Sequence, residues 1–509
     1  MKKITILYIT AVLLGSMTAC TKDFEEINTN PNVVEKPNPN FIFSKSILDG
    51  LNNNYFATNI LECGGMLQHY ATYKEASGVG DKYLSNEVYF SAYFNQVYPT
   101  ALNETEIVIN AVKDNANDSN KLNVARIWKA YLYHRITDLY GDVPYSEAAK
   151  ANSTQIFLPK YDTQEFIYKD LLKELDEAAL ALDAAKPSFG GADFIYNGDV
   201  AKWKKFSYSL MLRLAMRLTK VDPALAQTWA TKAIAGGVII DGTDNAIMKY
   251  TDGPNDINRN PVGFDSRKQD FTAGSYGQRN VEGGKLSKTF IDLLQTTADP
   301  RISVYAGVWQ GTVQNTNIAV QKGFPNGLKI APAPTEQATY SEPNQSTVFK
   351  YDAPLVILSN AETNLLLAEA AARGWYSGET DQALYEKAVK ASFLNMGIYG
   401  AGYTIADATP YLTLNPFNAA GSFEDKMNQI HTQMWIALFV DEQEVYANWR
   451  RTGYPVLVPV NFPGNVTNGT IPRRFKYPTS EYSVNSANLA EAVKRQGEDN
   501  FTTRIWWDK

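Results

Sequence analysis

The sequence predicts a mostly α-helical protein, an array of helix pairs broken by long loop-rich insertions. Three observations carry that expectation. Apolar side chains recur at helical spacing in many segments, and several of those runs open on a capping residue. Residues 365–393 (LLLAEAAARGWYSGETDQALYEKAVKASF) read as two helices joined by a Gly-Trp turn. Residues 241–351, 399–421 and 455–488 lose the helical period and fill with Gly, Pro, Asn and Thr.

The N-terminus is a targeting segment and stands outside the fold. Lys2 and Lys3 precede an apolar run, Ile4 to Leu14 (ITILYITAVLL). A permanent transmembrane helix needs ~20 apolar residues, so this run is too short to be one. Small residues follow, and then Cys20, in a pattern that resembles a bacterial lipobox with Met17 where leucine is usual. The expectation is a signal peptide over residues 1–19 and acylation of Cys20, which would anchor the chain to a membrane. The Asn- and Pro-rich stretch 27–40 (INTNPNVVEKPNPN) reads as an extended tether, so residues 20–40 form anchor and tether.

The body is then residues 41–509. In residues 41–240, the segments Tyr89–Val112 and Val124–Asp138 read as helices. Phe166, Ile167, Leu171, Leu172, Leu175, Ala178 and Leu182 mark one helix face, with Asp162 and Glu165 as a capping pair ahead of it. Trp203, Phe206, Leu210 and Leu214 mark the next, with Asp199 as N-cap. In residues 352–509, Ser359 and Glu362 form an S-x-x-E capping box and Gly374 closes the helix. Ser422 caps a further helix carrying Ile430, Met434 and Leu438. Alanine-rich helices that approach closely, with aromatics filling the gaps between pairs, are the units of tetratricopeptide-like arrays. A looser copy runs from Trp128 to Ala149, with LYGDVPYSEA as its turn. Residues 241–351 keep a helical signal mainly at Lys288–Thr296, and the rest is expected to form a loop-rich, ligand-facing surface.

Composition narrows the function. The 48 basic and 54 acidic residues give a net charge of −6, which argues against a general nucleic-acid binder. Cys63 is the one cysteine besides Cys20, so the mature chain has neither an internal disulfide nor a cysteine-rich metal site. Aromatic residues make up 12% of the chain, 30 of them Tyr, which suits stacking on sugars or peptide side chains as well as core packing. Catalytic signatures are lacking. The three histidines, His69, His134 and His431, show no metal-ligand spacing, and there is no G-x-S-x-G elbow. Gly283-Gly284-Lys285 is a fragment of a phosphate loop, but Arg279 and Leu286 occupy the positions that need Gly and Ser/Thr. Neither a cofactor nor a metal is expected. For binding, the candidates are the loop aromatics Trp309, Tyr276, Phe271, Tyr89 and Tyr73, with Asn258 and Arg267 as hydrogen-bonding partners. The terminal Trp506 and Trp507 read as a plug that ties the chain end to the body.

Several segments in order then resemble the SusD/RagB family of nutrient-binding outer-membrane lipoproteins. They are Cys20 with its tether, ITDLYGDVPYSEA (136–148), WKKFSYSLMLRLAMRL (203–218), LSKTFIDLLQTTADPRI (286–302), AETNLLLAEAAARGWYSG (361–378), MWIALFVDEQEVYANWRRTGYP (434–455), IPRRFKYP (471–478) and RIWWDK (504–509). The resemblance implies a tetratricopeptide-like body with a loop-rich ligand face on the outer side of the outer membrane. It implies a SusC-like TonB-dependent transporter barrel as partner, on which the lipoprotein sits as a lid. It also implies an oligosaccharide or oligopeptide as ligand, captured without turnover. A surface glycan hydrolase and a non-binding scaffold are the alternative readings.

Overall fold

The computed structural model describes residues 38–52, 55–75, 78–269, 271–272, 282–331 and 333–509; Cys20, the tether up to residue 37 and Tyr276 lie outside them, while Pro39 and Asn40, expected in the tether, open the first helix. Helices dominate, and they pack as neighbours along the chain. α1 (Pro39–Asn52) packs on α2 (Asn103–Val112), α3 (Ser119–Tyr140) on α4 (Gln164–Ala181), and α5 (Val200–Arg217) on α6 (Pro223–Gly236). After α7 (Pro261–Lys268) and α8 (Lys288–Thr296), α9 (Asn360–Ala372) packs on α10 (Asp381–Asn395). α11 (Ile405–Leu414) lies against α10, α12 (Phe423–Ala437) packs on α13 (Glu442–Thr452), and α14 (Ser486–Gln496) closes the series. This is the helical-pair array with loop-rich insertions that the periodicity predicts.

The caps explain where the helices start. Asp199 accepts the backbone N–H of Ala201 and Lys202, and Ser422 forms a reciprocal box with Asp425. α4 corrects the expected cap by one residue. Thr163 accepts the N–H of Phe166, while Asp162 turns back to accept Ser146 N–H and Oγ–H at 2.7 and 2.8 Å. Phe166, expected on the buried face, is 47% exposed. The Ser359 box is half made: Ser359 Oγ accepts Glu362 N–H, but the Glu362 carboxylate turns to Arg213 instead. Gly374 ends α9 at φ +74°, a left-handed conformation that a Cβ disfavours.

Several stretches differ from expectation: α7 forms within residues 241–351, and residues 479–488, expected to be loop, are helical as Thr479–Val484 and the start of α14. The helix expected over residues 89–112 changes pitch: Ala92–Val97 passes into a π-helical turn, Tyr98–Leu102, before α2. Pro99 has no N–H to give the α ladder, so the turn widens there. α11 lies in a stretch expected to be loop. Pro410 inside it masks the period, while a Thr404–Asp407 capping box starts it.

A buried ionic network joins α3, α5, α9 and α13. Arg213 meets Glu362 at 2.6 Å, Arg217 meets Glu444 at 2.6 Å, Arg135 meets Asp441 at 2.8 Å, and Arg451 meets Glu369 at 2.7 Å. Burial opposes ionisation of Glu444 and Glu369, but Arg217 and Arg213 hold Glu444, and Arg451 and His431 hold Glu369, below the ordinary carboxylate range. The C-terminal tail inserts into this network. Trp507, 0% exposed, donates its indole N–H to Asp138 at 3.0 Å and stands against the guanidinium groups of Arg217 and Arg450.

Nine short strands are described, five of them within residues 241–351. β1 (Tyr70–Thr72) pairs antiparallel with β5 (Gly284–Leu286), β2 (Val143–Pro144) with β3 (Tyr161–Asp162), and β4 (Ala246–Met248) with β9 (Leu355–Leu358). β6 (Ala306–Gln310) lies between β7 (Val313–Asn315) and β8 (Glu342–Pro343). The Leu286 N–H donates to Ser341 O at 2.9 Å, which brings β5 beside β8. Strands β1, β5, β8, β6 and β7, from distant parts of the sequence, therefore lie side by side.

Candidate functional site

The end of β1 is fixed from beneath. Lys82, 1% exposed, donates its ammonium to Thr72 O at 2.7 Å and to Asp81 Oδ2 at 2.9 Å. Asp81 Oδ2 in turn accepts the Thr72 N–H at 3.3 Å. Tyr73 leaves this clamp directly. Its ring is edge-on to Phe324 at 6.1 Å and covers Gly283. Gly283 sits at φ +70°, and a Cβ there would enter the Tyr73 ring, so glycine is required twice over.

One strand further, β5 carries Lys285 into a buried pair. Its ammonium donates to Glu342 Oε1 on β8 at 2.6 Å, and both side chains are 2% exposed. The other carboxylate oxygen, Glu342 Oε2, accepts the indole N–H of Trp309 on β6 at 3.0 Å. Trp309 is half-buried, so its polar edge is held while part of its apolar ring remains accessible. Lys285 thus fixes Glu342, and Glu342 fixes the ring. The sequence reading picked Trp309 but missed Lys285 and Glu342. A lysine and a glutamate 57 positions apart give no local signal of pairing.

The other candidates divide by position. Tyr89, half-buried in the short helix Glu87–Phe90, has its hydroxyl pushed up by burial and then by the charges of Glu282 and Glu62. It therefore lies near the start of β5. Phe271 also adjoins β5, beside Gly284, but is 1% exposed and packs edge-on to Phe56 at 5.4 Å. Its ring is core, as is that of Tyr73 at 6% exposure. Arg267 on α7 directs its guanidinium to Phe349 O at 2.7 Å and Gln345 O at 3.0 Å, and stacks on Tyr351 at 4.2 Å. It serves as a brace for residues 345–351. Asn258 is exposed in the turn before α7, on the Tyr351 side. The structure brings Tyr73, Phe271, Tyr89 and Trp309 around β5, and leaves Arg267 and Asn258 on a separate segment.

Among the described residues, one group brings three metal-binding atoms within 4.8 Å of one another: His134, Asp138 and Glu444. Arg217 is already 2.6 Å from Glu444 and 3.5 Å from Asp138, and Arg213 is 3.7 Å from Glu444. Burial, with Arg213, Arg135 and Arg217, holds the His134 imidazole well below its ordinary value, so it is neutral. A divalent cation would face two guanidinium groups there, and the group reads as part of the ionic core.

The comparisons with known proteins agree with this architecture. A SusD-like family model described as "Starch-binding associating with outer membrane" matches residues 31–478. The chain belongs to the SusD-like family. It is 30% identical to a solved chitin-binding protein, covering 93% of this chain and 100% of that one, with a TM-score of 0.80. A chitin-binding SusD homologue from Flavobacterium johnsoniae is 27% identical over 92% of this chain and 98% of its own, with a TM-score of 0.76. A Bacteroidetes SusD-like protein is 25% identical over 93% of this chain and 100% of its own, with a TM-score of 0.81. No curated protein matches the chain. The family is a nutrient-binding, outer-membrane-associated one, and two of its solved relatives are described as chitin-binding. Among the described residues no helix is long and apolar enough to cross a membrane.

Proposed function

We propose that this chain is a surface lipoprotein, anchored through Cys20, that captures an oligosaccharide at the β5 face without turning it over. It then delivers the ligand to a SusC-like TonB-dependent barrel, on which it acts as a lid. The observation that carries the capture step is the Lys285–Glu342–Trp309 chain of contacts. A ring held by its N–H on a buried, ion-paired carboxylate is a preorganised platform, which loses little entropy when a sugar stacks on it. Tyr89 adds a partly exposed aromatic residue towards Glu282, at the start of β5. The chitin-binding relatives make chito-oligosaccharides the first ligands to test, ahead of malto-oligosaccharides and oligopeptides. Residues 1–19 would be removed on export, residues 20–40 would form the anchor and tether, and residues 41–509 the binding body.

Calorimetric titration of the mature chain carrying Cys20→Ser, with each ligand class in turn, tests the reading. Binding of one glycan class, no release of shorter products, and an affinity loss of about tenfold or more in Trp309→Ala are expected. Hydrolysis by the purified protein would move the function to the glycan-hydrolase alternative.

A further inference from the structure

A concave region borders Pro325, Asn326 and Gly327. Two recesses, of about 470 and 520 Å³, run along α8 and share Thr289 as a lining residue. Their opposite wall is one continuous segment: Pro455, Val456 and Leu457 line the first, and Val458, Pro459, Val460 and Asn461 line the second. Together they make a single groove between α8 and residues 455–461.

Its saddle is a built feature. Gln68, 3% exposed, receives the Thr289 hydroxyl on Oε1 at 2.7 Å and donates its amide to Val458 O at 2.6 Å. One side chain thus sets the distance between the two walls. Gln68 does this from a left-handed backbone, φ +57°, which is costly for a residue with a Cβ and persists where the surroundings enforce it.

The lining selects the ligand. In the first recess the polar groups are amides and hydroxyls, including Asn428, Thr432, Asn415 and Tyr411. Asn428 is exposed on α12, and its Oδ1 accepts the Thr432 hydroxyl at 3.2 Å. In the second, Lys288 and Asp292 are the charged lining residues, and they pair with each other across one turn of α8. The groove therefore offers no net charge. Val456 and Val458, 75% and 79% exposed, give its rim apolar surface. An added peptide strand is disfavoured, because Pro455 and Pro459 lack N–H donors and Gln68 occupies the Val458 carbonyl. Uncharged amide and hydroxyl groups beside apolar surface suit a polyhydroxylated neutral ligand.

We infer that this groove is a second glycan-binding site, which takes a neutral oligosaccharide independently of the Trp309 platform. The inference rests on the oligosaccharide reading above. Two sites on one chain would raise its hold on a polymeric glycan by avidity, with no change in either site.

The test is a titration of N-acetylglucosamine hexamer and maltoheptaose into the mature Cys20→Ser chain and its Trp309→Ala, Asn428→Trp and doubly substituted forms. Asn428→Trp fills the groove from an exposed position, and Asn461→Trp does so from the other arm. Thermal unfolding verifies that each variant is folded. The expected result is weaker binding that survives Trp309→Ala and falls by about tenfold or more when either groove substitution is added. Groove variants that match their parents in both backgrounds would overturn the second site. If Trp309→Ala alone then lowers affinity, the platform reading still stands. Loss through the groove variants with no effect of Trp309→Ala would uphold the groove and overturn the platform. No binding of either sugar by the parent chain would overturn both. Capture of a neutral extended peptide in place of the sugars would overturn the glycan assignment.

Discussion

At the scale of single residues, buried charges decide what holds Trp309. Lys285→Met would leave the Glu342 carboxylate buried without its lysine, and breaking such an ion pair costs ~3–5 kcal/mol. Urea denaturation should show that loss, and Lys285→Met with Glu342→Met should recover most of it. Glycan affinity should stay low in the double variant, because the indole N–H has lost the carboxylate that orients it. Glu62 presents the opposite case. It is 1% exposed in the π-helix Phe56–Gly64, and neither carboxylate oxygen has a hydrogen-bond partner among the described residues. Burial pushes it well above the ordinary carboxylate range. Above pH ~4.3 the unfolded chain loses this proton while the folded chain keeps it, so stability falls as pH rises through that window. Glu62→Gln should therefore raise the Tm at pH 7 to 8, and the gain over wild type should shrink towards pH 4.

At the scale of elements, the terminal segment behaves as a plug. Trp507 fills the space between α3, α5 and α13, and satisfies its N–H on Asp138. Trp507→Ala should cost ~3–5 kcal/mol, the usual range for an emptied aromatic site, as measured by chemical denaturation. Much of this level was legible in the sequence. Period and caps place α4, α5, α9 and α12, and the paired Trp at the C-terminus announces a buried end. What escaped has physical causes. Pro410 hides α11, Pro99 widens a turn into a π-helix, and Asp162 leaves its expected cap for Ser146. The short strands β1, β5, β6 and β8 were not legible, because strands of two to five residues are made by pairing across the chain rather than by their own pattern. The site followed the same rule. Trp309 could be picked as a loop aromatic, whereas Phe271 and Arg267, equally plausible by composition, turn inward to pack on Phe56 and to brace residues 345–351.

At the scale of the whole molecule, the helical array is the frame, and the proposed recognition surface is built on it. The charged core welds α3, α5, α9 and α13 into one block, and the β5 face is built on its side from segments more than 200 positions apart. Rigidity of this kind suits a lid, which must present the same face to ligand and partner each time it closes. The most direct measurement of the central claim is a crystal structure of the chain soaked with the oligosaccharide it binds most tightly. The account predicts a sugar ring stacked on Trp309, about 4.5–5.5 Å between ring centres, with Lys285 and Glu342 still paired beneath it. A sugar bound elsewhere, with the Trp309 ring uncovered, would contradict the account.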